Sequence, residues 1–479
     1  MTLLDEKHWT AMTYAGGGSS PVMEPATGAE LAAIGVANVA DVAIAAAAAA
    51  KAQKVWGREK PEVRAAVLRR AGELFEQYAA EIEGWIVRET GAIPPKAQLE
   101  THIAAQECFE ASALPSLPHG DVLTTNGDRW SFARRFPAGV VSVIAPFNFP
   151  LILAIRAVAP ALALGNAVLL KPDLRTAVSG GASIVRIFEE AGLPEGLLHL
   201  LSGGVDVGEA LVTATEVKVV AFTGSTAAGR RVGALAGEHL KRVHLELGGN
   251  NALIVLPGAD LAAAASAGAF GSFMHQGQIC MTTGRHLVHE SLLEGYLEAL
   301  GEKATHLPVG DPSTGQVALG PIIDQKQLDR IDGIVQSTVK GGGRLVAGGT
   351  HEGLFYAPTV LADLTEKSPA WAEEVFGPVA PVRSFSTMDE AVALATANDY
   401  GLSLGILGDV GMAMDLADRI PSGKVHINEQ TVDDEANAPF GGVGLSGNGS
   451  RVGGLSTNLD AFTDLQWLTM RSTIAPYPF

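Results

Sequence analysis

From Gly139 onward, short β-branched runs alternate with helical segments, and this alternation constrains the fold more than any other feature of the chain. The first runs lie at Val140 to Ala145, Ala167 to Lys171, Leu197 to Leu201, Val217 to Phe222 and Val243 to Leu247. Such alternation predicts a parallel sheet wrapped by helices, because parallel neighbours need long crossovers between them. A second block has runs near Ala252 to Leu256, His286 to His289, Val382 to Phe385, Leu402 to Leu407 and Lys424 to Ile427. Helices are predicted between them near Ala259 to Phe273, Lys326 to Lys340, Asp389 to Ala397 and Met412 to Arg419. The expected fold is therefore α/β, with two doubly wound domains that meet near Gly248-Gly249. Ligands of such sheets lie beyond the carboxyl ends of the strands. Those ends carry Asn148, Lys171, Gly203-Gly204, Thr223-Gly224-Ser225 and Glu246-Leu247-Gly248-Gly249. A cleft between the two domains is the expected active site.

Ahead of these blocks the chain reads as helix, with an alanine-rich stretch at Val42 to Val55 and three- and four-residue apolar spacing from Pro61 to Thr90. Asp121 to Phe136 alternates like an exposed hairpin, a form suited to an oligomer arm. Charged residues are only 18% of the 479, against roughly 25% in ordinary soluble domains, which points to surface buried between subunits. The 34 basic and 52 acidic residues give a formal charge of −18, which disfavours nucleic acid and anionic lipid as partners. Met1 to Trp9 has neither a basic region nor an apolar core, so no secretory signal is expected. Prolines and Arg156 interrupt the most apolar stretch, Val140 to Leu170, so a membrane span is not expected either. Two cysteines support neither a disulfide framework nor a cysteine-rich metal site, and the expected compartment is the cytoplasm.

Of those two, Cys108 sits in a helical pattern and reads as packing, whereas Cys280 lies among small and polar residues in Gly277-Gln278-Ile279-Cys280-Met281-Thr282-Thr283. Glu246 stands 34 residues earlier, at a strand end before two glycines. A thiolate attacks carbonyl carbon and leaves it readily, so this pair suits acyl chemistry as nucleophile and base. Alone, the thiol is equally compatible with a protease, a thioesterase or a redox sensor. His275, five residues before Cys280, leaves a Cys-His hydrolase open. Strand, Thr223-Gly224-Ser225, Gly229 and helix form a candidate phosphate turn, since helix N-terminal amides favour an anion.

Seven motifs then occur in order: Ala145-Pro146-Phe147-Asn148-Phe149-Pro150, Leu170-Lys171-Pro172, Phe222-Thr223-Gly224-Ser225, Leu245-Glu246-Leu247-Gly248-Gly249, Gly277-Gln278-Ile279-Cys280, Glu373-Glu374-Val375-Phe376-Gly377-Pro378 and Pro439-Phe440-Gly441-Gly442. In order and spacing the chain resembles the NAD(P)-dependent aldehyde dehydrogenase superfamily over essentially its whole length. The resemblance implies a Rossmann-like cofactor domain formed by residues 1–117 and 138–247, and a catalytic domain at 248–445. Segments 118–137 and 446–479 would bridge subunits of a homodimer or homotetramer. It also implies Cys280 as nucleophile, Asn148 as oxyanion donor and Glu246 as the base of deacylation. Lys171, Thr223, Gly224, Ser225, Gly229, Glu374 and Phe376, with Pro146 and Phe147, would hold the cofactor. No metal is implied.

The chain departs from the family's pattern in two places, of which the first bears on the cofactor. Members that prefer NAD often carry a glutamate three residues after the lysine of Lys-Pro, and here that position is Leu174. NAD is expected as the primary cofactor, with NADP as a second. The family's Gly-x-Gly-Arg-Glu is replaced by Gly447-Asn448-Gly449-Ser450-Arg451. The motifs look most like the branch acting on benzaldehyde, vanillin and salicylaldehyde, with Phe149, Leu153 and Ile279 as walls for a ring. Arg156, eight residues after Asn148, matches the arginine by which succinate-semialdehyde dehydrogenases hold a substrate carboxylate, which is the alternative within the class.

Overall fold

The computed structural model describes residues 2–5 and 14–479. Much of the Met1 to Trp9 stretch read for a secretory signal lies outside the described residues. Five parallel strands form the first sheet, in the spatial order Leu198–Leu200, Ala167–Lys171, Val140–Ile144, Val217–Thr223, Arg242–Glu246. The first strand in sequence lies at the centre, so the winding direction reverses between Val140–Ile144 and Val217–Thr223. A ligand crevice opens at such a reversal.

The second sheet has seven strands, ordered Arg344–Ala347, Thr359–Ala362, Val379–Phe385, Thr283–His289, Asn251–Val255, Ser403–Leu407, Lys424–Ile427. All pairings are parallel except that of the edge strand Arg344–Ala347. Both faces are covered. Along Asn251–Val255, Ala252 and Ile254 pack into one apolar cluster while Leu253 and Val255 pack into another. This is why parallel strands read as continuous rather than alternating apolar runs.

The N-terminal region departs from the expected pattern in two places. Pro61 to Thr90 forms two helices, Pro61–Gln77 and Ala79–Thr90, because Tyr78 leaves the helical region with φ −103° and ψ 17°. Ahead of them lies an unpredicted antiparallel hairpin, Ser19–Met23 with Glu30–Gly35. The helix Val39–Trp56 starts where expected because Asn38 and Asp41 form a reciprocal capping box, each side chain accepting from the other's backbone N–H at 3.0 Å. Cys108 is fully buried in the helix Pro94–Ala111, in keeping with a packing role.

The predicted hairpin is Gly120–Val122 with Trp130–Pro137, and the C-terminal strand Thr463–Met470 pairs along the whole of the latter. It exposes large apolar side chains, with Trp130 60% and Trp467 67% exposed. Among the described residues, no helix is long and apolar enough to cross a membrane.

Candidate active site

Glu246 is the last residue of its strand, in register with Thr223, and the chain then crosses through Leu247 to Asn250 into the second sheet. It is 5% exposed, and among the described residues neither carboxylate oxygen has a hydrogen-bond partner. Burial raises its proton affinity well above the usual carboxylate range. Arg451, Arg156 and Lys424 oppose the shift and Asp434 reinforces it. A cavity of about 20 Å³ touches Glu246, Leu153, Arg156 and Phe440, room for one water.

Cys280 follows a tight turn in which His275, Gln276 and Gly277 all take left-handed φ values of 48°, 56° and 64°. The turn is held from several elements. Gln276 Nε2 donates to Gly91 O at 2.9 Å, and Gln278 Oε1 accepts from Ile323 N at 3.1 Å. Asn251 Nδ2 donates to the carbonyls of Cys280 and Thr282, both at 2.8 Å. Cys280 is a partly exposed residue beside an apolar cluster that includes Ile279, Met281, Val432 and Phe440, with Phe149 packed against it. Desolvation pushes the thiol up to about 12. Lys424 opposes this, whereas Glu374, Glu246 and Asp434 add to it.

Asn148 is 3% exposed, in the turn between Val140–Ile144 and the helix Pro150–Ala163. A buried pair fixes this turn. Lys96 Nζ donates to Asn148 O at 2.8 Å and to Glu100 at 2.5 Å, while Glu100 Oε1 accepts from Leu151 N at 2.7 Å and Ile152 N at 3.3 Å. Glu100 thus caps a neighbouring helix, satisfying N-terminal amides that the helix itself cannot. Phe149 lies with Lys96 Nζ 4.3 Å from its ring centre and His275 edge-on at 5.5 Å.

At the strand ends, Ser225 caps the helix Thr226–Glu238 by accepting from Ala228 N at 3.3 Å. Glycines keep this surface open: a Cβ on Gly224 would meet the Phe222 ring at 2.7 Å, and one on Gly229 would meet Leu247 Cδ2 at 2.2 Å. Lys171 ends its strand, and burial lowers its proton affinity against the pull of Asp173 and Asp206. Glu374 Oε1 accepts from Gly249 N at 3.0 Å, and burial pushes its carboxyl up to about 7. A Cβ on Gly248 would lie 2.2 Å from Glu374 Oε2. Arg330 and Gln327 donate to the main-chain carbonyls of Glu374, Val375 and Phe376 and so hold that loop. Phe147, next to Pro146, packs edge-on against Phe376 at 5.9 Å, with Arg175 stacked 4.2 Å above its ring. A glycine-lined crevice at the sheet's reversal, with a capped helix and one lysine, fits a dinucleotide.

The structure brings Cys280, Glu246, Ile279 and Phe149 to one locality, with Leu153 on the cavity beside Glu246. Arg156 is there too, but two carboxylates bind it: Nε donates to Glu107 at 2.8 Å and Nη1 pairs with Asp434 at 2.7 Å. Burial alone would weaken its hold on the proton, and Asp434 and Glu107 more than reverse that. His275 makes no hydrogen bond to Cys280. Burial and then Lys96 hold its imidazole well below the usual range, against the pull of the Asn148 backbone. The Cys-His hydrolase geometry is not formed.

Three features escaped sequence reasoning. The Lys96–Glu100 pair at i, i+4 reads as an ordinary helix-surface pair. Arg451, in the altered Gly-x-Gly segment, acts electrostatically on Glu246. Lys424, at the start of an edge strand, reaches Met281 beside the thiol.

The aldehyde dehydrogenase family model matches residues 13–468. The chain is 60% identical to a vanillin dehydrogenase of Amycolatopsis sp. over 100% of both chains. It is 47% identical to the benzaldehyde dehydrogenase [NAD(+)] of Pseudomonas putida, covering 97% of this chain and 95% of that one. A crystal structure of a salicylaldehyde dehydrogenase from Pseudomonas putida G7, complexed with salicylaldehyde, superposes with a TM-score of 0.94 at 34% identity, covering 98% and 97% of the two chains. A buried carboxylate, a thiol and a glycine-bearing strand-to-helix turn gather where the two sheets join, and the chain belongs to the aldehyde dehydrogenase family.

Proposed function

We propose that this protein oxidises an aromatic aldehyde of the benzaldehyde and vanillin type to its carboxylic acid, with NAD as cofactor. The observation that carries this reading is the partly exposed residue Cys280, set on an apolar wall beside the buried Glu246, whose carboxylate has no hydrogen-bond partner among the described residues. The thiolate adds to the aldehyde carbon. The Asn148 amide and the Cys280 backbone N–H donate to the oxygen that becomes anionic, and a neutral donor steadies that charge without trapping it. Lys171, Thr223, Gly224, Ser225, Gly229, Glu374, Phe376, Pro146 and Phe147 would hold NAD, which would supply the hydride acceptor. Glu246 then takes a proton from water as the water attacks the thioester, and the acid leaves with Cys280 restored.

Asn148→Ala should lower kcat by about 100- to 1,000-fold, as expected for loss of an oxyanion donor, while NAD affinity measured by fluorescence titration stays unchanged.

Phe149, Leu153 and Ile279 supply apolar walls for the ring. The semialdehyde alternative would need Arg156 to offer a free positive charge, yet Glu107 and Asp434 already neutralise it. Arg156 reads better as a structural tie between the helix Pro150–Ala163 and the Asp434 loop. Arg156→Met should therefore destabilise the fold by about 3–5 kcal/mol in urea denaturation, because it strands buried carboxylates.

For the cofactor, Leu174 neither binds a ribose hydroxyl nor repels a 2′-phosphate. Asp173 is tied to Arg175 at 2.7 and 2.8 Å, and Arg175 to Asp324 at 2.7 Å, so the arginine's charge is also largely spent. This supports NAD first and NADP second. Residues 1–117 with 138–247 would form the cofactor domain and 248–445 the catalytic one. Segments 118–137 and 446–479 would join copies through the exposed sheet that carries Trp130 and Trp467 on its two faces into a homodimer or homotetramer. The acidic charge and free thiols suit a cytoplasmic enzyme without nucleic-acid or membrane partners.

The test compares kcat/KM for benzaldehyde and succinate semialdehyde with NAD and with NADP. A preference of about 100-fold for benzaldehyde with NAD is expected. Preference for the semialdehyde would overturn the substrate assignment.

A further inference from the structure

We propose that Lys424 is the fixed positive charge that stabilises the Cys280 thiolate, an inference that rests on reading Cys280 as the nucleophile. Lys424 opens the edge strand of the seven-stranded sheet, in register with Ser403. Its Nζ donates to Asp433 O at 2.6 Å, touches the Met281 sulfur one residue from Cys280, and lies 4.3 Å from the centre of the Phe440 ring. Cys280 packs against the apolar cluster that contains Met281 and Phe440, so the ammonium is held on the same wall as the cysteine.

Two cations flank Phe440, and they differ in the way that matters. Arg156, 5.0 Å from the ring centre, is paired with Glu107 and Asp434. Lys424 meets Asp433 only through its main-chain carbonyl, and among the described residues no carboxylate is within ion-pair distance of its ammonium. A carbonyl dipole holds an ammonium in place without cancelling its charge, so the field of Lys424 still reaches its surroundings. Burial lowers its own proton affinity, while Asp434, Cys280 and Asp433 raise it and Arg156 lowers it. Around the thiol, Glu374, Glu246 and Asp434 all disfavour the thiolate, and Lys424 is the leading favourable charge. The nearby His426 imidazole is held low by burial and by Lys424 itself, so it adds no competing cation near neutrality. A cation beside a thiol in a partly dry site is the arrangement that makes cysteine reactive. Lys424 is a positioning residue, acting on the aldehyde only through the sulfur.

The test is the pH dependence of Cys280 alkylation by iodoacetamide, in a Cys108→Ala background so that one thiol is read. The S–H bond breaks with its electron pair left on sulfur and its proton passed to water. The S–C bond then forms as the C–I bond breaks and iodide leaves. Lys424→Met should move the alkylation midpoint about one pH unit higher and slow alkylation at neutral pH by about tenfold, whereas Lys424→Arg should keep the parent profile. If Lys424→Met does not fold, Lys424→Gln removes the charge while keeping a donor for Asp433 O, and the same shift is expected. An unchanged profile in a folded, uncharged variant would overturn the proposal. Alkylation needs neither aldehyde nor NAD, so its failure leaves the proposed function standing. Failure of the proposed function would appear instead in turnover with benzaldehyde.

Discussion

Cys280→Ala is expected to abolish aldehyde-dependent NADH formation, a loss of about a millionfold in kcat, on the scale seen when a covalent nucleophile is removed. The other cysteine is not placed to take over. Cys108 is fully buried in the helix Pro94–Ala111, and burial beside Glu107 holds its thiol protonated. Water would have to attack the aldehyde unaided. The thiol side chain makes no structural bond, so the variant should keep its thermal melting temperature and its affinity for NAD. A variant that folds, binds NAD and still turns over would place the nucleophile elsewhere.

The second large effect concerns Glu246. Glu246→Gln should release one equivalent of NADH per active site in a rapid burst and then stall, with the steady-state rate lower by about 100- to 10,000-fold. The asymmetry follows from the order of steps. In the proposed mechanism, thiohemiacetal formation and oxidation need Cys280 and Asn148, whereas only hydrolysis of the thioester needs the base. The pH dependence follows from its burial. Because its proton affinity is raised well above the carboxylate range, the wild-type rate should climb with pH along a limb that starts above that range, and Glu246→Gln should lack that limb. Stability takes the opposite sign. A carboxyl whose folded affinity for the proton exceeds its unfolded one stabilises the fold at low pH and loses that contribution as pH rises through its folded pKa. Glu246→Gln should therefore gain stability relative to wild type as pH rises, measured as the difference in urea midpoint between pH 5 and pH 8.

Local sequence carried the sheets and the candidate reacting groups because both depend on short-range pattern. Runs such as Val140 to Ile144 and Asn251 to Val255 are apolar throughout because both faces of their strands are covered. Cys280, Glu246 and Asn148 stand at strand ends and turns, where a polar residue has no packing reason to be. The charged edge strand Arg344–Ala347 and the four-residue Thr359–Ala362 lacked such a signature. Each is short, and the first is exposed along half its length. The hairpin partner Thr463–Met470 was legible only as part of a bridging tail, because its pairing with Trp130–Pro137 spans more than three hundred residues.

Charge was the least legible level. Arg156 matches a substrate-binding position in sequence, yet Glu107 and Asp434 approach it from distant segments. Lys96 and Glu100 resemble a solvent pair until the Asn148 turn folds over them. Lys424 carries no local sign of a role at all. Its surroundings are Met281, Asp433 and Phe440, and only the closed fold brings them together.

The most direct test of the central claim is intact-protein and peptide mass spectrometry of Glu246→Gln quenched after mixing with NAD and benzaldehyde. A benzoyl thioester on the peptide bearing Cys280, formed in step with one equivalent of NADH, is the predicted result. NADH release with no acyl group on Cys280, or an acyl group on another residue, would contradict it.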